Sequence, residues 1–257
     1  MAFFDKRRNN SAEQVIDTPT SGATKSYSIA NVFGYMCMWL AITAVIALSL
    51  SPLLKYVLTA TEGVDDSVYI ALIVLLVASV ITVLVLTFVI QIKFLRKGKS
   101  ILVPGIIYSI AMGVLCSSVV MFVDWYLLGI TFAITAALFG IMALIGLTAK
   151  KELNGLAVAG LGFFIGGILM SGFMLIVMFF FPTYYEHYYW IISLAILCGV
   201  VLTTIYDISR IKVLARNGEL NNNLSLFLSF HLYCDFMYIL IQILRLVLRA
   251  SGNSSSK

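Results

Sequence analysis

The stretch IALIVLLVASVITVLVLTFVI, Ile70–Ile90, decides the fold class. It carries no charge and is apolar on every face at 100° per residue, so no rotation of a helix would turn a polar side to water. Its length matches the ~20 residues that cross a hydrocarbon core. Similar runs fall near residues 29–51, 68–92, 101–122, 125–148, 156–181, 188–209 and 224–248. With 61% hydrophobic against 11% charged residues, the chain has too little polar surface to coat a soluble domain of its size. The expectation is an all-α integral membrane protein, a bundle of seven transmembrane helices in a lipid bilayer.

The flanks set domain bounds and topology. Residues 1–26 are rich in Ser, Thr, Asn and charge, bury too little apolar area to offset their ordering entropy, and read as a flexible cytoplasmic tail. The seven-helix domain takes residues 27–250, and 251–257 form a short polar tail. Lys6, Arg7, Arg8 and Lys25 precede the first run; Lys93, Arg96, Lys97 and Lys99 follow the second. Lys150 with Lys151, then Arg210, Lys212 and Arg216, mark two more basic connections, while the alternate connections carry Glu62, Asp65, Asp66, Asp124 and Glu186. The positive-inside rule puts the tail and the basic loops in the cytoplasm. Arg249 and Lys257 run against it, so the seventh segment either crosses against the bias or re-enters. The short tail, the lack of a targeting signal and the small size point to a bacterial inner membrane.

The net charge of +5 is spread over these flanks, where orientation explains it, and does not indicate nucleic acid. Cys37, Cys116, Cys198 and Cys234 lie inside apolar runs with no CxxC spacing and read as small buried side chains. Gly162 and Gly166 form a GxxxG step in the fifth run, which lets another helix approach, within the chain or from a second copy.

Polar groups at membrane depth need a reason, since an ionised Asp at a helix centre costs ~2.5–3.5 kcal/mol on insertion scales. Asp207 and Asp235 are the deep acids. His231, Asp235, Tyr238, Gln242, Arg245 and Arg249 share an arc of roughly 80° on the last helix. This stripe is expected to face the other helices along a watery crevice. Asp207 with Arg210 at i,i+3 and Asp235 with His231 at i,i+4 could instead be local pairs. The sixth and seventh runs are antiparallel neighbours, with the two acids offset by about 8 to 9 Å in depth, so contact needs stagger or tilt. Carboxylates that meet where water is scarce cannot both ionise easily and would share a proton. That would make a proton-sensing element.

Enzyme signatures are missing. Tyr206-Asp207 matches half of an intramembrane aspartyl protease site, but Tyr233-Cys234 stands before Asp235 where such enzymes need Gly-x-Gly, and no Pro-Ala-Leu motif occurs. His187 and His231 form no HExxH helix, and no GxxxxGK[ST] is present. No catalytic residue and no cofactor is expected.

TFAITAALFGIMALIGLTAKKELNGL (Thr131–Leu156), TTIYDISRIK (Thr203–Lys212) and SFHLYCDFMYILIQILRLV (Ser229–Val247) together resemble the transmembrane Bax inhibitor motif family. The resemblance implies a seven-helix bundle with the seventh helix central, and a pH-sensitive calcium leak whose Asp pair, here Asp207 and Asp235, senses protons and meets the calcium. It implies a basic latch from the second span; that span is uncharged from Val68 to Gln91, which leaves Lys93 or Arg96 for the role. Tyr238 stands where many relatives carry a small polar residue. His231, Tyr238, Gln242, Arg245, Arg210 and Lys93 are the supporting candidates. Cell-death suppression and protease modulation within the family imply an alternative, a regulator that binds a membrane protein partner without transport.

Overall fold

A computed structural model describes residues 29–59, 66–97, 100–149, individual positions from 155 to 172, and 185–252. The N-terminal tail lies outside the described residues. The helices are α1 (Ile29–Thr59), α2 (Asp66–Lys97), α3 (Leu102–Val120), α4 (Trp125–Thr148), α5 (helical positions between 155 and 172), α6 (Tyr185–Arg216) and α7 (Asn222–Gly252). Secondary structure among the described residues is entirely helical, and six of the helices are long and apolar enough to cross a membrane. The fifth apolar run, 156–181, is described only in part.

Several helices outrun their apolar cores. α1 continues through Pro52 to Thr59, although Pro removes one backbone hydrogen bond, because Leu54 and Val57 beyond it are buried and hold the extra turns. α7 is unbroken over 31 residues, about 46 Å, which leaves no re-entrant turn and exceeds a core of about 30 Å. Its two ends therefore lie on opposite sides of the bundle.

The connection between α6 and α7 is built from local chemistry. Gly218 takes φ +72°, the left-handed conformation that glycine adopts without strain. Its N–H bonds the Ala215 carbonyl at 3.2 Å and the Glu219 N–H bonds the Leu214 carbonyl at 3.1 Å, the Schellman pattern that ends a helix. Asn221 then caps α7, its side-chain oxygen accepting from the Leu224 N–H at 2.8 Å. So tight a turn makes α6 and α7 antiparallel neighbours and fixes their register.

α3 packs on α1 and α2, α4 on α6, and α7 on α1, α4 and α6. Glycines set the closest approaches. A Cβ on Gly113 of α3 would lie 2.7 Å from Cβ of Ile46 in α1, and one on Gly146 of α4 would lie 2.8 Å from Cγ2 of Ile208 in α6. Among the described glycines of α5 the close one is Gly160, where a Cβ would fall 2.7 Å from Cγ2 of Thr203. Gly162 and Gly166 have nothing within 4 Å of theirs, and with Ile191, Ile192 and Ala195 of α6 they line an open groove. At the C-terminal end of α4, close to Gly146, Lys212 Nζ donates to the Ala149 carbonyl at 2.9 Å. That places a cation on the negative end of the α4 dipole.

Candidate functional site

α7 is joined to its neighbours by two unlike sets of hydrogen bonds. Toward α1 they repeat at each helical turn: Tyr35 Oη donates to Asn222 Oδ1 at 3.0 Å, Trp39 Nε1 to Ser229 Oγ at 3.2 Å, and Thr43 Oγ1 and Tyr233 Oη lie 2.7 Å apart. Trp39 and Tyr233 are fully buried there. Tyr108 of α3 packs edge-on against Phe230, with ring centroids 4.9 Å apart. This seam is neutral and interlocked.

Toward α6, one of the bonds among the described residues involves an acid. Gln242, buried, donates to the Ser193 carbonyl at 3.3 Å. Thr204 Oγ1 donates to Asp235 Oδ2 at 3.1 Å. Thr204 is fully buried and stands one turn before Asp207 on the same face of α6. Counting inward from the turn, Thr204 is about 18 Å along α6 and Asp235 about 20 Å along α7, so the two share a level. Asp207, nearer the turn, acts on Asp235 through charge. Thr204, one turn farther from the connection than Asp207, is the α6 residue that meets Asp235.

Asp207 and Asp235 are both half-buried. Arg210 is exposed and exerts its charge on Asp207 and on His231. His231, half-buried, sits edge-on to Phe227 with ring centroids 4.9 Å apart. The hydrogen bond of Asp235 crosses to α6 rather than running back to His231. The polar stripe of α7 splits, with Gln242 buried while Tyr238 and Arg245 are exposed. Arg245 lies about 34 Å along α7, near the far edge of a core about 30 Å thick, where a long cationic side chain reaches the interface. Of Lys93 only its place in α2 is described. Among the described residues no three His, Cys, Asp or Glu gather as a metal-binding group.

Thr204 was the residue sequence reasoning passed over. It belongs to the same TTIYD segment as Asp207, but a Thr in an apolar helix ordinarily bonds its own backbone, as Thr204 also does to the Val200 carbonyl at 2.8 Å.

The family model described as "Inhibitor of apoptosis-promoting Bax1" matches residues 25–253, nearly the whole chain. The chain belongs to the Bax inhibitor family. No curated protein and no solved structure matches it. As a Bax inhibitor family member with six apolar helices of spanning length among its described residues, it is a multi-pass membrane protein whose solvent is the lipid bilayer.

Proposed function

We propose that this Bax inhibitor family protein is a proton-gated cation leak, with calcium as the cargo and Asp207 and Asp235 as the gate. The observation that carries the reading is the Thr204–Asp235 hydrogen bond near the middle of α7, with a second carboxylate one turn away acting on it through charge. On this reading the two acids interact where water is scarce and exchange protons as a unit. Proton occupancy then changes what α6 offers α7, while the neutral seam to α1 is untouched. Gating is movement at the α6–α7 seam, with α7 the central moving helix, Arg210 and His231 tuning the charge from the turn side, and Lys93 or Arg96 the basic latch.

Carboxylate oxygens suit a hard divalent cation. Calcium prefers 6–8 oxygen ligands, so two acids and a hydroxyl suit passage, with water and carbonyls completing the shell. A divalent ion crossing 100 mV releases about 4.6 kcal/mol, enough to drive flux without a nucleotide. We place the protein in a bacterial inner membrane with its N-terminus in the cytoplasm. The test is calcium entry into liposomes bearing purified protein across a pH series. Wild-type flux should follow pH and Asp235→Asn flux should not; a wild-type pH response in Asp235→Asn would remove the mechanism.

A regulatory reading draws on the family description, which names inhibition of an apoptosis-promoting protein. In that case the chain acts by binding a membrane protein. Crosslinking in native membranes that captures a stoichiometric partner, with no ion flux from the purified protein, would favour it.

A further inference from the structure

A cavity of about 490 Å³ lies between α1, α3, α4 and α7, on the side of α7 away from Asp207. Its walls include Ala44 and Ala47 of α1, Cys116 of α3, Gly129 of α4, and Phe236 and Met237 of α7. The one hydroxyl among its lining residues, Thr43, is already bonded to Tyr233. A void with so few polar partners does not hold ordered water, and its size falls within the ~300–1,000 Å³ of ligand sites. Something apolar fills it.

Position and shape say what. The cavity runs along α1 from Leu40 to Leu48 and along α4 from Trp125 to Phe132, each about 10–12 Å. That is most of one leaflet of a hydrocarbon core about 30 Å thick. It starts at the end of α4 next to the α3–α4 turn, away from the Ile29 end of α1, and reaches the middle of α7. Its mouth is formed by Leu48, Trp125 and Phe132, all exposed. The opening is therefore continuous with the apolar surface that the spans present to lipid. Its floor, Phe236 and Met237, is buried and adjoins Asp235.

We propose that the cavity binds one acyl chain of a bilayer phospholipid from the leaflet on the Trp125 side, inserted sideways between α1 and α4 until it touches Phe236 and Met237. The inference does not depend on ion flux. A chain in this position wedges α4 from α1 next to the residue that α6 holds, so occupancy bears on where α7 can move.

The experiment is photolabelling in liposomes with a phosphatidylcholine that carries a diazirine on one acyl chain, adducts being mapped by mass spectrometry. Belt lipids reach Trp125 and Phe132 from outside, whereas Met237 is 4% exposed and is reached only by an inserted chain. Met237 and Phe236 should be labelled in the wild type. Gly129→Phe should cut that labelling at least tenfold, since a Cβ on Gly129 meets nothing within 4 Å and the ring has the cavity to occupy. Gly140→Phe, equally unhindered on the same helix but outside the cavity, should not. Labelling confined to exposed belt residues in the wild type, or Met237 labelling unchanged by Gly129→Phe, would overturn the proposal. So would labelling of Met237 by a diazirine-bearing free fatty acid but not by the phospholipid.

Discussion

The Thr204 hydroxyl lies 2.8 Å from the Val200 carbonyl and 3.1 Å from Oδ2 of Asp235, and it has one proton for the two acceptors. When Asp235 is ionised, the proton must be shared or surrendered by the helix carbonyl. When Asp235 is protonated, its own O–H can donate to the Thr204 oxygen and leave the bond to Val200 intact. The contact between α6 and α7 thus has two hydrogen-bond patterns, selected by one proton.

Removing the hydroxyl should loosen this seam. Thr204→Val keeps the shape but leaves Asp235 without its partner, at a cost of about 1–3 kcal/mol for an unmet buried polar group. On the gating proposal, resting calcium flux in liposomes should rise by about fivefold or more, with Thr204→Ser close to wild type. Unaltered flux in the Val protein would mean that this bond does not hold the gate.

Asp207 acts on Asp235 through charge, without the bond that Thr204 makes. Asp207→Asn should therefore leave assembly and thermal stability near wild type while changing the form of the pH response. A coupled pair titrates in separated steps that belong to both groups. With Asp207 neutralised, the flux profile should narrow to a curve for one proton, measured on the same liposomes from acid to alkaline pH.

That α6 and α7 are antiparallel neighbours was readable, because the segment between them is short and basic residues close α6; Gly218 and Asn221, which shape that turn, were not singled out. What could not be read was the content of the interface at Asp235. Thr204 and Thr203 are neighbours with the same chemistry, and only packing decides that Thr203 lies against Gly160 while Thr204 meets the acid. Small residues permit close approach on any face, and among the described glycines of α5 it is Gly160 that meets α6 closely. The α1 seam was equally hidden. Tyr35, Trp39 and Thr43 recur every four residues, but in an apolar helix that spacing carries no polar contrast strong enough to mark an interface.

Lys212 supports α4 from α6 by binding the Ala149 carbonyl. A charge-assisted bond at a helix C-terminus contributes about 1–2 kcal/mol, so Lys212→Met should lower the thermal midpoint in detergent by about 2–8 °C. Lys212→Arg should recover most of the loss, because the guanidinium is also a charged donor. Equal midpoints for Met and wild type would show the contact to be incidental.

Two glycines of the α1–α3 region should respond in opposite directions. A Cβ at Gly113 would sit 2.7 Å from Cβ of Ile46 and 2.9 Å from the Thr43 carbonyl oxygen. The second contact is with backbone, which cannot turn aside as a side chain would, so α3 must retreat from α1. Gly113→Val should cost about 1–3 kcal/mol, the range for overpacking. The retreat also disturbs Thr43, whose hydroxyl meets Tyr233, so the α1–α7 seam should weaken with it. Gly34, on an exposed face of α1, has nothing within 4 Å of its Cβ position. Gly34→Ala should therefore stabilise by about 0.5–1 kcal/mol, since alanine restricts the unfolded chain and suits a helix interior. Thermal unfolding of both variants in one detergent checks the pair, and a Gly113→Val protein as stable as wild type would show that α1 and α3 are not in close contact there.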